Sequence, residues 1–253
     1  MRPTTEGSTA APNARSGDRT GASAGTQRVR PGLGSGAQAR DSVPRVDDRR
    51  PQPPDPVTGA IAEAYDAVPY GMRTHARTHP RRLQTAGTLW GMRPAPADGC
   101  RVLELGCGEG ANLLVLAEAL PQSQFVGVDL SHRQVRMGRD RVDELGLGNV
   151  DLRQGDLREL DDTLGEFDYV LVAGVFSWVP AAIRERLLAL CRTVLAPHGI
   201  AYVSYNTTPG WYVNGALRTL LLDHTRSVDG WDAKIRAGRA LLTGLATTLD
   251  ERP

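Results

Sequence analysis

The sequence predicts an α/β domain: a parallel β-sheet with helices on both faces. Three observations predict it. Apolar runs of strand length are separated by helical patterns over roughly residues 101–205, which implies right-handed crossovers and a sheet covered on both sides. The stretch Arg101–Asn112, RVLELGCGEGAN, reads as strand, glycine turn and helix, a geometry that aims backbone N–H groups and a helix N-terminus at a ligand. Acidic residues stand at the ends of successive strands, where open α/β sheets bind ligands.

The elements follow in order. Residues 1–56 are rich in Gly, Ala, Ser, Thr, Pro and Arg and contain no aromatic residue. Such a segment buries too little apolar surface to offset its ordering entropy, so it reads as a disordered tail. An Arg-rich partner tail is the competing reading, but Asp41, Asp47, Asp48 and Asp55 interrupt the positive run. A short helix is expected to end near Val68-Pro69. A second follows, with Pro80 in its first turn, Thr78 as a possible cap, and Leu83, Leu89 and Trp90 facing a core. Together residues 57–98 form a helical cap before the core.

The core is expected over 99–211. Its strands are read at Arg101–Leu105, Gln124–Asp129, about Asn149–Arg153, Phe167–Ala173 and Gly199–Tyr205. Helices are read at Ala111–Leu120, His132–Leu145, near Leu157–Leu164, and at Ala181–Leu195. The expected strand order is 3-2-1-4-5. Residues 212–253 read as two further helices, with Leu217, Leu220, Leu221 and Leu241, Leu242, Leu245 as apolar faces.

Composition narrows the function. The chain has 253 residues and a net charge of +1, which gives no global case for nucleic acid or an anionic membrane. No apolar run approaches the length of a membrane span, and Arg2 is followed by no apolar core of a signal peptide. Cys100, Cys107 and Cys191 are odd in number and widely spaced, which argues against a disulfide framework or a zinc site and fits a reducing cytoplasm. No metal is expected. Lys234 is the only lysine, which reads as genomic base composition.

The glycine turn carries the chemistry. Gly106, Gly108 and Gly110 allow positive φ and close backbone approach. Glu104 ends the strand and Glu109 sits inside the turn, so two carboxylates oppose a diphosphate and suit a cation such as a sulfonium or ammonium. Asp129, with Leu130 beside it, ends strand two and can accept hydrogen bonds from a ribose diol; its alternative role is a helix N-cap, which Ser131 could fill instead. Asp156 follows strand three and can accept from an adenine amine while Leu157 packs on the ring; it too could be an N-cap. Ala173 and Gly174, after strand four, would pass under the ligand. A nicotinamide oxidoreductase is a weaker reading, because its fingerprint is G-x-G-x-x-G.

The spacing E-x-G-x-G-x-G resembles the first motif of Rossmann-like, class I methyltransferases dependent on S-adenosylmethionine (SAM). The resemblance extends over about Tyr65 to Arg226. Its carriers are YDAVPYG (Tyr65–Gly71), THPRRL (Thr78–Leu83), CRVLELGCGEGANLL (Cys100–Leu114), FVGVDLSHRQV (Phe125–Val135), GEFDYVLVAGVFSWVP (Gly165–Pro180) and LAPHGIAYVSYNTTPGW (Leu195–Trp211). The last two point to a bacterial group with an appended regulatory domain, which includes outer-membrane-protein lysine methyltransferases.

That resemblance implies a three-layer sandwich, SAM as cofactor, and Glu104, Gly106, Cys107, Gly108, Asp129, Leu130, Asp156, Leu157, Ala173 and Gly174 as its binding residues. A protein side chain or a small molecule would accept the methyl group. Phe176, Trp178, Trp211 and Tyr212 would line the substrate cleft, and Tyr205, Asn206 or Tyr70 would orient an amine. His75 and His79 lie in the cap, where capping or surface roles are the usual ones. No D/N-P-P-Y motif follows strand four, which argues against an amide or base-amino methylase.

Two departures stand out. The group's apolar Pro-Phe pair is replaced by Arg73-Thr74-His75-Ala76, and the two strands that normally complete a class I sheet are not found. The chain therefore resembles a form truncated at its C-terminus, exposing a sheet edge and apolar helices through which it would self-associate. A SAM-binding regulatory module without catalysis is the competing reading.

Overall fold

The computed structural model describes residues 73–250 and, before them, Gly59, Glu63, residues 65–68 and Gly71. The tail predicted over 1–56 and the candidate Tyr70 lie outside the described residues. Gly59, Glu63 and residues 65–67 are helical and Val68 is a bend, consistent with a helix ending there.

The described elements are a 3-10 turn Ala76–Thr78, α1 (Pro80–Leu89), β1 (Arg101–Leu105), α2 (Ala111–Ala119), β2 (Gln124–Asp129), α3 (His132–Leu145), β3 (Val150–Gln154), a 3-10 turn Asp162–Leu164, β4 (Phe167–Val172), α4 (Ala181–Val194), β5 (Leu195–Val203), α5 (Tyr212–His224) and α6 (Trp231–Asp250). Five strands form one sheet in the order β3-β2-β1-β4-β5, and every pairing is parallel. This is the Rossmann-like architecture predicted, without the last two strands of a complete class I sheet among the described residues.

Alternation along the strands builds two cores. Val102, Tyr169, Leu171 and Leu152 face the helices that supply Leu113, Leu116 and Val135. Leu103, Leu105, Val126, Val128, Val170 and Val172 face Leu187, Leu190 and Val194 of α4. Full burial of such a side chain contributes about 1.5–3 kcal/mol, so both faces of the sheet hold the domain together.

Several local expectations are corrected. His79, not Thr78, caps α1: its Nδ1 accepts the Arg81 N–H at 3.2 Å. Leu83 is buried, but Leu89 and Trp90 are 82% and 88% exposed. The helix ends at Leu89, so its last turn extends beyond Gly87, the point where it meets Ile200 and Pro94. The short helix expected near Leu157–Leu164 is reduced to a 3-10 turn at Asp162–Leu164, and residues 157–159 make a turn. The fifth strand begins at Leu195 rather than Gly199, with an irregularity in its pairing to β4. Among the described residues, no helix is long and apolar enough to cross a membrane.

Candidate functional site

Parallel strands put all their carboxyl ends on one rim. Register sets Glu104 of β1 opposite Gly127 of β2, and Asp129 opposite Gln154 of β3. Glu104 and Asp129 thus stand on neighbouring strands, Asp129 two residues beyond the partner of Glu104, with Asp156 just past β3.

The turn after β1 is closed by backbone. The Gly106 N–H donates to Val128 O at 2.8 Å, and the Gly110 N–H to Cys107 O at 2.9 Å. Gly106, Gly108 and Gly110 all have positive φ, a conformation in which a side chain is strained. A Cβ on Gly106 would also lie 2.3 Å from Val175 Cγ2, so the Val175 side chain, from the segment after β4, packs directly on the turn.

Asp129 ties this turn to the next loop. Its Oδ2 accepts the Gly108 N–H at 2.7 Å and its Oδ1 the Ser131 N–H at 2.9 Å. Burial raises its pKa, against lowering by these backbone bonds. Ser131 is the N-cap of α3, its hydroxyl accepting the Gln134 N–H at 3.1 Å. The cap role is therefore taken by Ser131, and each Asp129 oxygen keeps lone pairs beyond its backbone bond.

Glu104 is 3% exposed. Its Oε1 accepts Asn112 Nδ2–H at 3.0 Å, while its Oε2 is buried without a hydrogen-bond partner among the described residues. Burial pushes its carboxyl up to about 8, the Asn112 bond opposing and the nearby Asp129 charge adding to the rise. A buried acceptor with no donor is a costly arrangement that a ligand cation relieves. The residues present therefore fit SAM, whose sulfonium and ammonium are both cationic.

Glu109 behaves differently from the expectation. It is buried and ion-paired with Arg141 of α3, so its charge is neutralised locally. Glu104 and Asp129 are then the acids of this turn and rim that oppose a diphosphate. Asp156 also has a partner: its Oδ1 accepts the Arg158 N–H at 2.9 Å, and its Oδ2 pairs with Arg158 Nη2 at 2.5 Å. Leu157 and Leu130 beside these acids are half-buried. Cys107 lies in the turn, and burial raises its thiol well above the usual range, so it remains a neutral wall.

Past β4, Gly174 has positive φ and donates its N–H to Ser204 Oγ at 2.8 Å. A small pocket there is lined by Gly174, Ser177, Trp178, Ser204, Tyr205 and Asn206. Phe176 and Tyr205 pair with ring centroids 6.0 Å apart, and Trp178 and Trp211 edge-on at 5.6 Å. The structure therefore brings Phe176, Trp178, Tyr205, Asn206 and Trp211 together; Tyr212 begins α5 and is 65% exposed.

Residues the sequence did not single out complete the site. Asn112 and Thr78 bridge Glu104 to the N-terminal segment. Asp66, part of the motif at 65–71, accepts the Ser131 hydroxyl and the Arg133 N–H. The position of Asn112, directly after the glycine turn, was the available signal.

Residues 102–199 match the "Methyltransferase domain" family model. An uncharacterized Rickettsia prowazekii protein is 37% identical over 187 residues, 74% of this chain and 75% of that one. A phosphatidylethanolamine N-methyltransferase of Cereibacter sphaeroides is 31% identical over 145 residues, 50% of this chain and 70% of that enzyme. The solved structure of PKMT2 from Rickettsia typhi in complex with AdoHcy is 36% identical with a TM-score of 0.63, covering 73% of this chain. The present chain spans 36% of the PKMT2 chain, and 35% of a second Rickettsia prowazekii relative that is 38% identical. Fold, acid-lined rim and relatives converge: the chain belongs to the class I SAM-dependent methyltransferases.

Proposed function

We propose that this methyltransferase transfers its methyl group to an amine on a protein side chain, lysine foremost. The observation that carries the cofactor half is Glu104 Oε2, a buried carboxylate oxygen without a partner on the rim where Asp129 also stands. The acceptor half is supported by the resemblance to lysine methyltransferases, by the similarity to PKMT2, and by the aromatic groups beside Gly174. We assign residues 57–98 as a cap, 99–211 as the cofactor-binding core and 212–253 as a helical extension. Glu104, Gly106, Cys107, Gly108, Asp129, Leu130, Asp156, Leu157, Ala173 and Gly174 hold the cofactor in this reading.

SAM supplies a methyl group on a sulfonium that departs as a neutral thioether. The protein's work is alignment and exclusion of water. Phe176, Trp178 and Trp211 offer apolar and π surface along which a lysine stem can lie. An amine drawn out of water as its protein docks over the pocket beside Gly174 favours the neutral form needed for attack. Tyr205 and Asn206, exposed beside that pocket, are placed to orient it.

Methyl-labelled SAM, incubated with a lysine-rich unfolded protein and separately with a small primary amine, tests the acceptor. Label in protein lysine is the expected result; label only in the small amine, or none in either, overturns the proposal. Asp129→Ala is expected to weaken SAM binding by about 100-fold or more, from loss of two charge-assisted bonds at ~1.5 kcal/mol each. Unchanged affinity by calorimetry would refute the assignment of Asp129.

A further inference from the structure

The N-terminal segment reaches the cofactor rim through one buried amide. Asn112 Oδ1 accepts the His75 backbone N–H at 2.9 Å. A backbone N–H can only donate, so the orientation of the amide is fixed. Its Nδ2 therefore faces the other way, toward Glu104 Oε1 at 3.0 Å and Thr78 Oγ1 at 3.1 Å. Thr78 donates its own hydroxyl to His75 O at 2.7 Å, which leaves its oxygen free to accept. Thr78, Glu104 and Asn112 are all buried. The chain of bonds thus runs from residues 75–78 to the carboxylate whose second oxygen has no partner.

We propose that Asn112 is a positioning residue that couples closure of the segment at His75–Thr78 to the charge held at Glu104, so that the site tightens over the cationic methyl donor and loosens over the neutral thioether product. The inference rests on the methyltransferase reading. A hydrogen bond to a carboxylate is roughly twice as strong as one to a neutral acid. The product keeps the ammonium and loses only the sulfonium charge, so the coupling requires the sulfonium on the Oε2 side of Glu104, where it favours the ionised carboxylate and leaves Asn112 bonded to a full charge. Among the described residues, the titratable groups facing Glu104 are Asp129 from β2 and Cys107 from the turn, and neither supplies a competing positive charge. Asp66 anchors the preceding helix on Ser131 and Arg133, independently of Glu104.

Hydrogen exchange and calorimetry on the whole chain test this, with SAM and AdoHcy as the two probes at matched saturation. SAM is expected to slow exchange at residues 75–78 more than AdoHcy does. Asn112→Ala is expected to remove that difference, to weaken SAM binding about tenfold, and to shift the pH midpoint of SAM affinity upward, since the amide no longer favours the carboxylate. Exchange at the Arg133 amide, held by Asp66, should be unchanged and reports that the fold persists. Thr78→Val should loosen residues 75–78 while leaving the pH midpoint in place, because Asn112 still donates to Glu104. Equal protection by SAM and AdoHcy, or an Asn112→Ala midpoint identical to the native one, overturns the coupling while the methyltransferase reading stands. Absence of any SAM binding to the native chain overturns both.

Discussion

Glu104, next to last in β1, has one oxygen bonded to Asn112 and the other without a hydrogen-bond partner among the described residues. Its pKa is about 8 in the folded protein against an ordinary 4.5, with burial the largest cause. Between those values the native state binds more protons than the unfolded state, so stability falls as pH rises through this window. Below 4.5 both states are protonated; above 8 both are ionised and the full cost of the buried charge remains. Asp129 is shifted in the same direction and adds to the slope. Glu104→Gln keeps an acceptor for Asn112 and cannot ionise. Thermal melts of the ligand-free protein should therefore show a melting temperature that declines from about pH 5 to pH 8, and a shallower decline in the Gln variant. Above pH 8 the variant should melt higher than the native chain and bind SAM more weakly. Parallel profiles for the two proteins would show that Glu104 is ionised throughout.

Elements are held in place by contacts that local pattern reports unevenly. The boundaries of β1, β2 and α3 were readable to the residue, because a glycine turn, a terminal Asp and a Ser cap mark them. The acids at the strand ends were readable for the same reason. Their partners were not: Arg141 lies 32 residues from Glu109 and Thr78 lies 34 from Asn112, and only the folded sheet sets such distances. Leu89 and Trp90 looked like core because periodicity says nothing about where a helix outruns its support. Gly138, in the middle of α3, looks by propensity like a defect costing about 1 kcal/mol relative to Ala. The structure gives its reason: a Cβ there would lie 2.5 Å from Glu109 O and 2.6 Å from Leu152 Cδ1. Backbone cannot yield as a side-chain tip can, so Gly138→Ala should destabilise by about 1–3 kcal/mol through overpacking, outweighing its gain in propensity. Gly244 of α6 meets nothing within 4 Å, and Gly244→Ala should stabilise by about 0.5–1 kcal/mol. Urea titrations of both variants decide the matter; equal effects would mean that α3 does not press on the turn.

At the scale of the whole domain, the sheet ends on β5, which pairs only with β4 among the described residues. The elements that follow leave apolar surface in water. On α5, Val213, Leu220 and Leu222 are 73%, 42% and 53% exposed, and on α6 Leu242 and Leu245 are 39% and 37% exposed. The two helices touch, with Gly238 of α6 against Leu221 of α5, but that contact covers only part of either stripe. Open strand edges pair with other chains, and contiguous apolar patches mark association sites. Net charge is +1 on 253 residues, so electrostatic repulsion between copies is weak. Association driven by this surface predicts a light-scattering mass that climbs with concentration and is little changed by added salt, since apolar burial is not screened. Charged replacements on the stripe, Val213→Lys with Leu220→Lys, should restore a single monomer mass without changing SAM affinity, because neither residue lines the acid rim. A native chain that stays monomeric at every concentration would mean that the helices cover one another more fully in solution than their exposed side chains indicate.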